Sequence, residues 1–447
     1  MSNRTGSLLR QVCIACLALY PARVMPADAL KDLLSGTPGL PPVLAVAAMR
    51  TDVSGVVTRS EFLGSRRASP ESLAVDEHTL FRVASISKLV TALGFMRLVE
   101  QEKIDLDADV SEYLGFSLSP PGRETPVSSR MLLAHTSAVR DGDRYVLPPN
   151  ESIRAFFDPG SIHYAEGAHL DNDHPPGAGY FHYANLNYGL LGTVIERVSG
   201  QRFDRYMQSQ VLDPLGIEGS FNVNLLGADS RGNLSTLYRY QNGQWMAQAD
   251  DPASLQNPGM ARVENPDGAR DDGVAITLED YVVGSNGTVF SPQGGLRITL
   301  PGLLRIARLL LNRGEIDGYR LLREETITAM ERVHWTYAPG QGDDYGGLFL
   351  SFGLGVQHFT GQHTAKGGDR LYIGDEGGYL GHLGEAYGLL SGLFYRPQSG
   401  EALVYVINGV SVDPSKYPGN YSSFYRWEES LLSELGPSGL ANDGQVP

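Results

Sequence analysis

Apolar positions recur in this chain with two different periods, which divide it into a strand-rich start, a helical and loop-rich middle and a strand-rich end. Val43-Leu44-Ala45-Val46-Ala47-Ala48 is a continuous apolar run bounded by Pro41-Pro42 and Gly55. With the short β-leaning stretches at 55–58 and 61–64, it predicts sheet strands joined by turns. From Ser85 the period changes: Leu89, Leu93, Met96 and Val99 fall three and four residues apart, which predicts an amphipathic helix of about four turns. Further helices are expected over 127–134, 188–198, 203–211, 303–312 and 324–333. Strands are expected at 387–395 and 402–408, on either side of Pro397-Gln398-Ser399-Gly400, with a closing helix over 421–435. The stretches 115–179 and 222–297 are rich in Gly, Pro, Asp and Asn and read mainly as loops. Strands near both ends with helices between them predict an α/β (α+β) fold in which the N- and C-terminal segments share one sheet. The sheet-bearing part is expected at about residues 40–115 and 290–435, the helical and loop-rich insertion at about 116–289, and a disordered tail over 436–447.

Composition narrows the classes available. Of the 447 residues 42% are hydrophobic and 19% charged, enough apolar chain for a sizeable core. The formal net charge of -15 argues against nucleic acid and against anionic membranes, since both need clustered Lys and Arg. Near the N-terminus, Arg4 and Arg10 precede an apolar run from Val12 to about Leu19, followed by small residues. That is the pattern of a secretory signal over residues 1–29, too short to span a bilayer in the mature chain. The expected location is therefore periplasmic or secreted. Both cysteines, Cys13 and Cys16, lie in this segment, so a processed chain would carry no thiol and no disulfide.

Three strings carry candidate chemistry. In Ser85-Ile86-Ser87-Lys88 the amine lies one helical turn from the hydroxyl on the same face, where it can take the proton that keeps serine a poor nucleophile. If the helix begins at Ser85, its free amides also favour negative charge on an attacked carbonyl oxygen. The ordinary alternative is a plain N-cap serine followed by a solvated lysine. Tyr183-Ala184-Asn185 by itself reads equally as a core aromatic between Phe181 and Tyr188, and His382-Leu383-Gly384 as a surface histidine. A rival constellation, His163, His169, Asp171, Asp173, His174 and His182, supplies metal-ligand types. It lacks a helical His-x-x-x-His pair and is studded with Gly and Pro.

The surroundings and order of these strings add a family resemblance. The segment from Thr79 to Lys88, followed by an apolar helix, resembles the nucleophile segment of the serine β-lactamase and penicillin-binding-protein superfamily, most closely its class C type. Leu132-Leu133-Ala134-His135-Thr136-Ser137, Pro176-Gly177, the run from Tyr183 to Gly192, Asp213-Pro214-Leu215-Gly216 and Gly294-Gly295-Leu296 follow in the family's order, over about residues 40–435. The resemblance implies a β-lactamase/transpeptidase-like fold, with a central antiparallel sheet, flanking helices and a mostly helical inserted domain. It implies a covalent acyl-enzyme on Ser85, with no metal or cofactor, acting on a small-molecule or peptide substrate.

It further implies that Tyr183 moves a proton between nucleophile and leaving group, as a phenolate that Lys88 stabilises, and that Asn185 orients Lys88 and donates to the substrate. His382-Leu383-Gly384 matches the family's K-T-G element in an H-x-G form, on edge-strand backbone, with the Glu385 amide as second oxyanion donor opposite that of Ser85. Histidine in place of lysine makes the positive charge conditional on pH. Leu383 removes a hydroxyl that helps relatives hold a substrate carboxylate. An esterase, amidase or peptidase on less anionic substrates is thus favoured over a true β-lactamase, and whether Lys88 or Tyr183 is the base stays open. A non-catalytic penicillin- or peptidoglycan-binding sensor and a metal-dependent hydrolase on the cluster from His163 to His182 are the alternatives.

Overall fold

Ala45–Thr51 (β1) is buried along nearly its whole length on both faces, so it can lie only in the middle of a sheet covered on both sides. The computed structural model, which describes residues 28–67, 72–118, 125–241, 244–248, 278, 281–364, 367–386 and 388–436, places it there. Its companions are β2 (Val57–Arg67), β3 (Leu73–Ala74), β4 (Trp335–Thr336), β5 (Ser351–Phe352), β6 (Gln357–Phe359), β7 (Tyr379–Ala386), β8 (Leu389–Arg396) and β9 (Glu401–Asn408). They form a nine-stranded sheet in the order β4-β5-β6-β7-β8-β9-β1-β2-β3, antiparallel at every joint. The joint between β9 and β1 sets Ala45 opposite Asn408, so early and late segments share the sheet as the pattern predicts.

Successive residues of a strand face opposite sides, and two cores result. Ala45, Ala47, Leu389, Leu393, Val404 and Val406 face one side, where α2 (Ile86–Glu100) and α4 (Leu300–Leu311) pack, with α3 (Asn185–Ser199) beyond them. Val46, Ala48, Leu390, Phe394, Tyr405 and Ile407 face the other, under α1 (Asp28–Ser35) and α5 (Arg426–Leu435). The mixed α/β architecture that the resemblance implies, a central antiparallel sheet with flanking helices, is therefore the observed one. The signal pattern before residue 28 and the tail beyond 436 lie outside the described residues.

Several local expectations need correction. α2 is not amphipathic: from Ile86 to Met96 every residue is buried, which places the helix inside the protein. Its polar side chains are paired internally, as Ser87 Oγ accepts from Leu296 N (3.0 Å) and Thr91 Oγ1 donates to the Pro292 carbonyl (2.8 Å). The helix expected at 127–134 is confined to Ser129–Leu133, and that at 203–211 stops at Met207 before a wider π-type turn to Leu212. The loop-rich 222–297 region contains a hairpin, Leu237–Gln241 with Gln244–Gln248, and a strand at Arg297–Thr299 that pairs with Leu80–Arg82. Finally, the H-x-G string sits on β7 inside the sheet, not on an outer strand. Its neighbour β6 pairs only with Tyr379–Gly381, so the backbone from Leu383 to Ala386 is an edge locally.

Candidate active site

Leu80–Arg82, held by its pairing with Arg297–Thr299, delivers the chain to Ala84, whose φ of 44° is left-handed and costly for a residue with a Cβ. This sharp step starts α2 with Ser85 at the N-cap position. The Ser85 side chain makes no capping hydrogen bond, so its hydroxyl is free for other work. Lys88 is fully buried, which removes the solvated-lysine alternative. Its Nζ lies 3.0 Å from Ser85 Oγ, 2.8 Å from Asn185 Oδ1 and 3.1 Å from the Gln293 carbonyl oxygen. Burial brings the amine down to about 7, opposed by the Asp141 carboxylate. A neutral amine fits these three partners: it donates to the two carbonyl-type oxygens and keeps its lone pair for the serine proton.

Tyr183 lies in the extended segment that enters α3. Its ring centroid is 4.7 Å from Lys88 Nζ, and it lines the cleft beside Ser85. The ring is held between His135 (4.4 Å) and Phe349 (5.1 Å), with His382 at 6.2 Å. Burial raises the phenol well above its ordinary value, so it stays protonated. The expected phenolate is therefore not the resting form. The largest cause is lost hydration, with the Ser85 side chain opposing it and Tyr188, Tyr345 and Asp141 adding to it. Asn185, the first residue of α3, turns its oxygen to Lys88 and donates Nδ2 to Asp141 Oδ2 at 2.9 Å.

β7 closes the site from the opposite side. Ser391 on β8 donates to the Val83 carbonyl (3.1 Å), tying the sheet to the segment that leads into Ser85. Between them lies Gly384, where an added Cβ would press into the Val83 carbonyl oxygen and stand 3.2 Å from Ser85 N. Only glycine allows this approach, which brings the free backbone of β7 beside the start of α2. Gly384→Ala is expected to slow acylation of Ser85 by roughly ten- to hundredfold and to cost about 1–3 kcal/mol of stability. Fluorophosphonate labelling rates and denaturant unfolding would check both, and a wild-type labelling rate would contradict the tight fit.

His382 is buried beneath this strand, packed near Tyr183 and against Phe352 (6.0 Å), with Nδ1 2.6 Å from the Leu383 carbonyl oxygen. Burial, reinforced by Lys88, pushes it down to about 3. The expected pH-conditional charge is thus absent at neutral pH: the imidazole is uncharged and does not line the cleft. Glu385 does line it, accepting from Tyr425 Oη at 3.1 Å, with its carboxyl raised by the surrounding protein.

The cleft itself has a volume of about 630 Å³. Ser85, Tyr183, Asn185, Gln293, Gly384 and Glu385 share its wall with Tyr345, Phe349, Leu383 and Tyr425. The charged side chains on its wall are Arg82, whose Nε donates to the Gly294 carbonyl (2.9 Å), and the carboxyls Glu385 and Glu428. The histidine-rich segment does not converge. His163 pairs with Glu151, His169 with the Arg144 carbonyl, His174 with Asp171 and His182 with Asp343. Among the described residues no three His, Cys, Asp or Glu side chains are grouped to hold a metal ion.

Sequence reasoning missed Asp141, the Gln293 carbonyl and Ser391, and it took His135 only as part of a structural string. Each touches the core of the site, yet none carries a local spacing signal: Gln293 meets Lys88 across 205 residues of chain.

Fold and site together define a mixed α/β protein whose serine, lysine and tyrosine meet between a helix start and a strand. The Beta-lactamase family model matches residues 43–422, and the chain belongs to that family, within the serine β-lactamase and penicillin-binding-protein superfamily. Among curated relatives, Protein flp of Staphylococcus aureus is 28% identical over 141 residues, 31% of this chain and 27% of its own length. Lovastatin esterase of Penicillium rubens is 28% identical over 219 residues, 42% of this chain and 51% of its own. The chain thus spans about a quarter to a half of the length of these relatives.

Among solved structures, D-amino acid amidase from Ochrobactrum anthropi SV3 complexed with L-phenylalanine superposes with a TM-score of 0.59 at 19% identity, over 91% of this chain and 97% of that one. The octameric penicillin-binding protein homologue from Pyrococcus abyssi gives 0.57 at 21% identity, over 83% and 71%. At these identities the likeness is one of fold. Among the described residues no helix is long and apolar enough to cross a membrane.

Proposed function

We propose that the chain is a serine hydrolase that forms a covalent acyl-enzyme on Ser85 and cleaves an ester or amide, closest in organisation to the class C type. One observation carries this reading: a fully buried Lys88 whose Nζ is 3.0 Å from Ser85 Oγ while its remaining contacts are hydrogen-bond acceptors. Lys88 takes the proton as Ser85 Oγ bonds to the substrate carbonyl carbon. The amides of Ser85 and Glu385 receive the charge on the carbonyl oxygen. Tyr183, protonated, donates to the departing oxygen or nitrogen as its bond to carbon breaks, and Lys88 re-protonates Tyr183. Water then repeats the sequence in reverse to release the acid. These steps use side chains and backbone only, with no metal or cofactor.

Substrates of low negative charge are favoured, since Leu383 and the carboxyls of Glu385 and Glu428 border the cleft. The relatives named an esterase and a D-amino acid amidase support ester or amide bonds as targets. The pattern at residues 4–19 supports export to the periplasm or beyond.

Mass spectrometry after incubation with a fluorophosphonate is expected to find one adduct, on Ser85, and Ser85→Ala to lose both adduct and hydrolysis. A Ser85→Ala protein with full activity would sink the proposal. A stable adduct with no turnover of nitrophenyl esters, nitrocefin or D-Ala-D-Ala peptides would favour a binding sensor. The rate should also depend on pH in a defined sense. Only uncharged Lys88 accepts a proton, so kcat/KM should rise with pH through about 7 and then level. A profile of ester hydrolysis that is flat across this range would contradict Lys88 as base.

A further inference from the structure

We propose that Asp141 is a positioning residue of the Ser85 site, fixing at once the orientation of the Asn185 amide and the entry of α3 that carries it. The inference rests on the acyl-enzyme reading above and extends it to a group that touches neither the nucleophile nor its base.

Asp141 only accepts, and it accepts twice: from Asn185 Nδ2 at 2.9 Å and from Leu186 N at 2.8 Å. An asparagine amide has one acceptor end and one donor end. With Nδ2 committed to Asp141, Oδ1 must face Lys88, where it sits at 2.8 Å. The reverse orientation would set NH2 against the hydrogens of the amine. Lys88 would then keep one carbonyl acceptor, that of Gln293, and its lone pair would no longer be aimed at Ser85.

The second contact explains why this acid is placed here. α3 begins after Ala184, which offers no side-chain cap. The missing cap is supplied from outside: His135 Nδ1 accepts from Ala184 N at 3.1 Å and Asp141 accepts from Leu186 N. A negative charge at a helix start is favoured by the backbone dipoles as well. One carboxylate thus anchors the helix and aligns the side chain at its first position.

Asp141 also acts on Lys88 through its charge. The groups facing the amine are the phenols of Tyr183 and Tyr188 and the imidazoles of His135 and His382, and burial holds all four uncharged. Asp141 is the charge among them, and it favours the ammonium form. Removing that charge should make Lys88 easier to deprotonate. Losing the alignment should make it a worse base for Ser85. The two effects point in opposite directions, which separates them from general damage to the fold.

The test follows the second-order rate of fluorophosphonate acylation of Ser85 from about pH 5 to about pH 9 in the full chain, for wild type, Asp141→Asn and Asp141→Glu. Asp141→Asn is expected to lower the plateau by about tenfold while moving the acid limb down by about half a unit to one unit. Asp141→Glu, which keeps the charge, is expected to leave the limb in place and lower the plateau. An Asp141→Asn protein with wild-type limb and plateau overturns the inference, and so does a lowered plateau with an unmoved limb, the mark of a merely structural residue. If Asp141→Asn does not fold, Asp141→Ser, which also removes the charge, is read by the same two criteria: a lowered plateau with a lowered limb supports the inference, and a lowered plateau on the wild-type limb, or a wild-type profile, overturns it. Absence of any Ser85 adduct in wild type removes the acyl-enzyme reading itself, and this inference with it. Normal wild-type labelling confines a failure to Asp141.

Discussion

Lys88→Met is expected to lower kcat/KM for a nitrophenyl ester by about 10³-fold or more, because it removes the amine proposed to accept the Ser85 proton while nearly preserving volume. The loss should not come from unfolding. Methionine fills the channel along α2 that the lysine stem occupies and needs no hydration. It does leave the Gln293 carbonyl and Asn185 Oδ1 without their donor, at about 1–3 kcal/mol for each buried group left unpaired. Against this, the substitution removes a buried amine whose own desolvation is costly enough to bring it down to about 7. The two terms oppose each other, so stability should change far less than activity. Ester hydrolysis and thermal unfolding measured on the same preparation check the split. A Lys88→Met protein with a tenth or more of the wild-type rate would show that the proton goes elsewhere.

The parts of this site that the sequence makes legible are those set by local geometry. Ser85 and Lys88 can be paired from their spacing because three residues on a helix are one turn, and the structure keeps that pair at 3.0 Å. Tyr183 and Asn185 have no such spacing signal and come only from the resemblance of the run from Tyr183 to Gly192 to the family's second motif; the structure puts one on the segment entering α3 and the other at its first residue. The shared sheet is legible too, since continuous apolar runs such as 43–48 and 402–408 demand cover on both faces.

What could not be read depends on distant chain segments. The burial of α2 on every side follows from distant partners, α3, the strands β7 and β8 and the segment 292–296, and no periodicity within 86–100 announces them. The charge states are hidden from the sequence for the same reason. His382 and Tyr183 titrate as their surroundings dictate, and only the folded chain shows that both are enclosed, which keeps each neutral. Asp141 escaped notice because an aspartate between Arg140 and Gly142 looks like any solvated turn residue until α3 is placed against it.

Tyr183→Phe is expected to separate substrates by their leaving groups. The phenol stays protonated and lines the cleft beside Ser85, which suits it to protonate whatever leaves. An amide nitrogen cannot depart without a proton, so loss of the donor should cost about 10²- to 10⁴-fold in kcat/KM for amides. A nitrophenolate departs unaided, and its ester should lose far less, through the missing contact to Ser85 alone. Phenylalanine keeps the stacking on His135 and Phe349, so the cleft wall stays in place and the binding contribution to KM should change little. Kinetics on a matched pair, one acyl group carried as nitrophenyl ester and as simple amide, make the comparison. Equal losses on both would mean that Tyr183 serves attack rather than departure, and would return the question of the base to the phenol and the amine together.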